Sequence, residues 1–67
     1  MMLLKQVGET AGRVWSVLHE KGPQSLNSLK KLVKAPPDVL LMSIGWLARE
    51  DKLECEQKGR VQMFRLK

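Results

Sequence analysis

Apolar residues recur along this chain in two rhythms, first three and four positions apart, then at every second position. From about Val7 to Lys21, the residues Val7, Ala11, Val14, Trp15 and Leu18 fall at helical spacing. That spacing predicts a first helix with those side chains, Trp15 included, on its buried face. Gly22-Pro23 ends it, because glycine suits the position just past a helix and proline cannot continue one. Ser25 is a good N-cap and opens a second helix, where Leu26, Leu29, Leu32 and Val33 make one apolar stripe over two turns. Gln24-Ser25 can form a short strand-like bridge just ahead of it. Ala35-Pro36-Pro37-Asp38 then breaks the chain, since a residue before proline is driven out of the α region. The second helix must therefore stop by about Lys34. A third starts at Pro37 or Asp38, proline being tolerated in a first turn, and runs to about Asp51.

The rhythm changes after that. Leu53, Cys55 and Gln57 share one face of a strand, and Glu54, Glu56 and Lys58 share the other. Gly59-Arg60 follows, and glycine at the first central position of a two-residue loop suits a type II′ hairpin turn. That loop sets Lys58 opposite Val61, Cys55 opposite Phe64 and Leu53 opposite Leu66. It also sets Glu54 opposite Arg65, a favourable cross-strand pair. A three-residue loop would place Phe64 across from Glu54 instead. The inner face then reads Leu53, Cys55, Phe64, Leu66, so Cys55 is expected to point inward and to be inert. The order helix, helix, helix, hairpin, with a tight turn joining the second and third helices, predicts an α+β winged helix-turn-helix. It comprises three helices followed by a two-stranded antiparallel wing, with room for a third short strand at residues 24–26. Residues 1–67 are expected to form one such domain.

Composition narrows the function classes. A chain of 67 residues is marginal without added support. A disulfide is excluded because Cys55 is the only cysteine, and Cys55 with the single His19 cannot supply four zinc ligands. Oligomerisation remains, so a homodimer is expected. Lys5 ends the apolar run Met1-Met2-Leu3-Leu4 after four residues, and no later run approaches the ~20 apolar residues of a membrane span. A cytoplasmic protein with no membrane segment is expected. Twelve Lys and Arg against seven Asp and Glu give a net charge of +5, which is compatible with nucleic acid and equally with a basic surface that has no ligand. No Ser/His/Asp set or phosphate-cradling glycine loop is present, and Glu50 and Asp51 point about 100° apart on a helix. His19 reads as a partner of the first helix's C-terminal dipole. The chain is expected not to be an enzyme and to need no cofactor, metal or small-molecule ligand.

"TAGRVWSVL" (10–18), "SLNSLKKLVK" (25–34) and "IGWLAREDKL" (44–53) resemble a family of short bacterial winged helix-turn-helix proteins. The resemblance covers nearly the whole chain. Its Thr-Ala-Gly-X-Val-Trp and Gly-Trp-Leu-Ala-Arg-Glu strings are the specific part. It implies the fold and a DNA-binding class, with no reaction, ligand or operator attached.

The residues of the third helix complicate that class. On a helical wheel Leu40, Ile44 and Leu47 face inward, flanked by Ser43, Ala48 and Asp51. The opposite side carries Asp38, Leu41, Met42, Gly45 and Arg49, with Val39 and Trp46 at its edge. Base readout wants Arg, Lys, Asn, Gln, Ser or Thr there, and Asp38 would repel phosphate. A helix apolar on both sides is a candidate for protein contact, and Val39, Leu41, Met42, Gly45, Trp46 and Arg49 are the candidate interface. The competing reading packs Gly45 and Trp46 inside the chain, against the wing or Pro36-Pro37. The cations lie elsewhere: Lys30, Lys31 and Lys34 on the second helix and Lys58 and Arg60 at the wing tip are the candidate contacts to the phosphates of double-stranded DNA, or a solvated basic face. Two functions follow. One is a small transcriptional regulator with a non-standard recognition helix. The other is a homodimerising interaction module that reads no DNA sequence.

Overall fold

The computed structural model describes residues 2–67; Met1, which opens the N-terminal apolar run, lies outside them. The elements are helix α1 (Met2–Lys21), strand β1 (Gln24–Ser25), helix α2 (Leu26–Val33), helix α3 (Pro37–Arg49) and strands β2 (Leu53–Lys58) and β3 (Val61–Leu66). The sheet runs β1-β3-β2 and is antiparallel throughout. This is a winged helix-turn-helix of α+β class.

Local chemistry sets each boundary. The Gly22 N–H donates to the Leu18 carbonyl at 3.0 Å, and Gly22 takes the left-handed conformation (φ 79°) that closes α1. The Ser25 hydroxyl accepts from the Ser28 N–H at 3.1 Å, capping α2. Lys34 ends α2 in the left-handed region (φ 53°, ψ 47°). Arg13 reaches across from α1 to donate to the Val33 carbonyl at 3.2 Å, placing a cation at the end of that helix. Pro37 sits in the first turn of α3, where its missing N–H costs nothing.

The third helix stops two residues before Asp51. Glu50 caps it and Asp51 turns left-handed (φ 60°). The Asp51 N–H donates to the Ala48 carbonyl and the Lys52 N–H to the Leu47 carbonyl. That paired pattern is a Schellman closure, which satisfies carbonyls a longer helix would have left open. Ala48 and Asp51, placed beside the core on the wheel, are exposed.

The core gathers Ala11, Val14 and Leu18 of α1, Leu29 and Val33 of α2, Leu40, Ile44 and Leu47 of α3, and Leu53 and Phe64 of the sheet. Ser43 is fully buried between α1 and α3, with its hydroxyl 2.8 Å from the Val39 carbonyl and 3.1 Å from that of Val7. No buried side-chain polar atom lacks a partner among the described residues. The hairpin register is the one the two-residue loop demands, with Leu53 opposite Leu66, Cys55 opposite Phe64 and Lys58 opposite Val61. The positive φ falls on Gly59 (62°).

Three side chains placed in the interior lie outside it. Trp15 is 40% exposed and stacks on His19, ring centroids 4.8 Å apart. Leu32 is exposed too, because the buried direction of α2 runs through Leu29 and Val33 and Leu32 lies about 60° and 100° round the helix from them. Cys55 is exposed rather than inward. It shares a face with Phe64, but β2 is an edge strand and only its Leu53 end is buried.

Candidate functional site

Two surfaces carry the candidate residues, and they differ in chemistry. The first joins α2 to the wing. Residues 21–37 and 57–67 contain no Asp or Glu. The sheet brings these stretches together, with Gln24 paired to Phe64 and Ser25 to Met63. A hollow opens beside that pairing, lined by Ser25, Leu26 and Asn27 on one side and Gln57, Arg60 and Gln62 on the other. Lys30 and Lys31 follow Asn27 one turn along α2, and Lys34 stands just past the far end of the helix, about 10 Å along its axis from Asn27.

All five candidate phosphate-contacting cations, Lys30, Lys31, Lys34, Lys58 and Arg60, are exposed, and none joins an ion pair among the described residues. The other wing cations are engaged. Arg65 holds Glu54 at 2.9 Å and Glu56 at 3.7 Å, and Lys67 is bonded to Asp51. The hydrogen bond and charge of Asp51 raise the Lys67 ammonium above its ordinary range. Glu54 and Glu56 are thus partly neutralised on their own strand pair. Sequence reasoning missed Asn27, Gln57 and Gln62, which enter the hollow only because β1 pairs with β3. Their amides can donate to phosphate or to base edges.

The second surface lies between α1 and α3. Of the six candidate interface residues, Val39 is 5% exposed and belongs to the interior, near Ser43. It sat at the edge of the outward face on the wheel, and the close approach of α1 to α3 covers that edge. Leu41, at 53%, points outward but does not line the α1 side. Met42, Gly45, Trp46 and Arg49 come together with Leu3, Leu4 and Val7 of α1 around one hollow. A second hollow lies between Gly8, Gly12 and Trp15 of α1 and Trp46 of α3, with the cap residue Glu50 at its side. Trp46 lines both, and the two hollows lie along the same seam between α1 and α3. The α1 contribution was not legible from the wheel of the third helix. Gly8 and Gly12 were nonetheless visible at i, i+4 in the sequence.

The described residues offer no group of three or more His, Cys, Asp or Glu placed to hold a metal ion. No helix among them is long and apolar enough to cross a membrane. Nothing in either surface assembles a nucleophile with a base, and nothing points to catalysis.

The chain is 35% identical over 65 residues to an uncharacterised protein of Methanocaldococcus jannaschii, covering 92% of this chain and 91% of that protein. That relative is archaeal, so it lends no support to the bacterial distribution implied by the sequence resemblance. The winged helix-turn-helix domain family DUF2582 matches residues 2–66, and with the three helices, the Gly59-Arg60 wing and the β1 strand in place, the chain belongs to that family.

Proposed function

We propose that this protein binds duplex DNA through phosphate contacts from α2 and the wing tip, acting as a small regulator of transcription without base readout by the outer face of α3. The observation that carries this reading is the meeting of the two acid-free stretches across the β1–β3 pairing, which sets Arg60 at a hollow whose other wall, Ser25 to Asn27, leads along α2 to the unpaired Lys30 and Lys31. Phosphate contacts of this kind release counterions, so affinity falls steeply with salt. Action on chromosomal DNA would place the protein in the cytoplasm. The test is titration of a fluorescent duplex at two salt concentrations, with wild type and Lys30→Glu/Lys31→Glu/Arg60→Glu. Wild type is expected to bind and to weaken with salt, and the variant to lose both binding and the salt slope. No binding by wild type at about 20 mM salt overturns the reading.

A second reading is favoured by α3 itself. Leu41, Met42 and Trp46 are 41–53% exposed where a DNA-reading helix would carry polar side chains. An exposed apolar face of this kind fits protein contact, most simply a homodimer. The readings are compatible, because the cations of the first lie on α2 and the wing.

A further inference from the structure

Five residues of this chain carry a carboxamide, and three of them, Asn27, Gln57 and Gln62, line the hollow between α2 and the wing. Gln57 and Gln62 are direct partners in the β2–β3 register and stand side by side on one face. Two residues back along each strand, that face carries Cys55 and the buried Phe64. Beyond the reach of the core, the same face turns from apolar to amide. The Gln57 amide donates to the Gly59 carbonyl at 3.2 Å, which holds it at the turn. No hydrogen bond engages the side chains of Asn27 and Gln62 among the described residues. On the other wall the Ser25 hydroxyl caps the Ser28 N–H, while the Leu26 and Asn27 N–H groups open the helix without an intrahelical acceptor. The lining thus combines neutral donors with one cation, Arg60, and no acid.

We propose that this hollow seats the sugar–phosphate backbone of one DNA strand, with the Asn27, Gln57 and Gln62 amides donating to phosphate oxygens. Resting on the reading that α2 and the wing bind duplex DNA, this assignment adds three uncharged contact residues and their target on the duplex. Shape and charge select the backbone over base edges. Base edges lie on the floor of a major groove about 8.5 Å deep, so an element that protrudes is needed to reach them. These amides line a recess between the first turn of α2 and the wing tip, and a recess fits the ridge that phosphates form along a groove. Arg60 stands in the same recess, and Lys30 and Lys31 follow one turn along α2, so the path out of it is lined by cations, as a backbone requires. Neutral donors of this kind fix the position of the strand without reading sequence. They neutralise no phosphate charge and release no counterion, so their contribution to affinity does not fall with salt.

The experiment titrates three fluorescent duplexes of unrelated sequence with the full chain, each at about 20 mM and about 100 mM salt. Gln57→Met/Gln62→Met keeps the length of both side chains and removes their donors. Both positions are exposed, so the variant is expected to stay folded by circular dichroism. It is expected to bind all three duplexes about tenfold more weakly than wild type, the loss of about two neutral hydrogen bonds, with an unchanged salt slope. Arg60→Met is expected to lower that slope by about 1. Asn27→Ala, on the opposite wall, is expected to weaken binding evenly by a few-fold, and replaces the strand variant should that not fold. Equal binding by wild type and Gln57→Met/Gln62→Met overturns the proposal and leaves the reading of the α2 and wing cations standing. A loss confined to one duplex sequence overturns it in favour of base readout. No binding by wild type at the lower salt overturns that reading and this proposal with it.

Discussion

The surface of α2 with the wing and the surface of α1 with α3 are built from the same short chain to opposite specifications. The first has cations, amides and no acid along two whole stretches. The second has Trp, Met, Leu and bare glycine, with charge only at its rim. In many winged domains the helix after the tight turn carries the polar reading face. Here that helix carries the apolar one, and polarity has moved to α2 and the strands. The contrast separates fold from function: helix order gives the architecture, while the side chains on each outer face decide what it can touch.

Substitutions on one face are expected to leave the property of the other intact. Lys30→Glu/Lys31→Glu/Arg60→Glu is expected to weaken duplex binding by at least about 100-fold at low salt and leave the sedimenting mass unchanged. Met42→Lys, on the exposed apolar face of α3, is expected to do the reverse, changing mass while single-site DNA contacts persist. One variant abolishing both properties would show that the two faces are not independent.

Ser43→Ala probes the joint that holds α3 against α1. Its hydroxyl is buried and bonded to the Val7 and Val39 carbonyls, so removal is expected to cost about 1–2 kcal/mol in urea denaturation. Gly45→Ala tests the other side of α3. Its Cβ meets no described atom, so the folded chain is expected to gain about 0.5–1 kcal/mol. A loss there would mean that the backbone needs glycine for this chain's own fold. The smallest effect is expected from Glu54→Gln. The Glu54–Arg65 pair is largely exposed, so stability should move by less than about 1 kcal/mol. Arg65 keeps Glu56, and removing one acid from the wing should raise duplex affinity a few-fold.

Much of the fold was legible because local chemistry dictates it. Gly22-Pro23 and Pro36-Pro37 could only break helices, and Gly59-Arg60 fixed a register in which Glu54 meets Arg65. The candidate cations were also readable, since unpaired lysines on a short amphipathic helix face water. Trp15, Val39 and Cys55 went the other way, for three physical reasons. Trp15 lies on the flank of α1 that turns out of the core and stacks on His19. Val39 lies on the flank of α3 that turns in, where the Ser43 joint draws α1 close. Cys55 alternates correctly, but sits on an edge strand that the core covers only at its Leu53 end.

Sequence was enough to place the breaks between elements, the hairpin register and the two stretches that lack acids, although α1 begins at Met2 rather than near Val7 and α3 ends at Arg49 rather than near Asp51. Those follow from backbone sterics, helical and strand periods, and composition. What the faces of these elements meet depends on how the elements pack. The β1–β3 pairing placed Asn27, Gln57 and Arg60 around one hollow, and the packing of α1 on α3 set Gly8, Gly12 and Trp15 around a second and Gly45 around a third, with Trp46 at both. A helical period fixes angles about one axis, but the crossing and depth of two helices depend on what interlocks between them, and that information is spread over residues far apart in the chain.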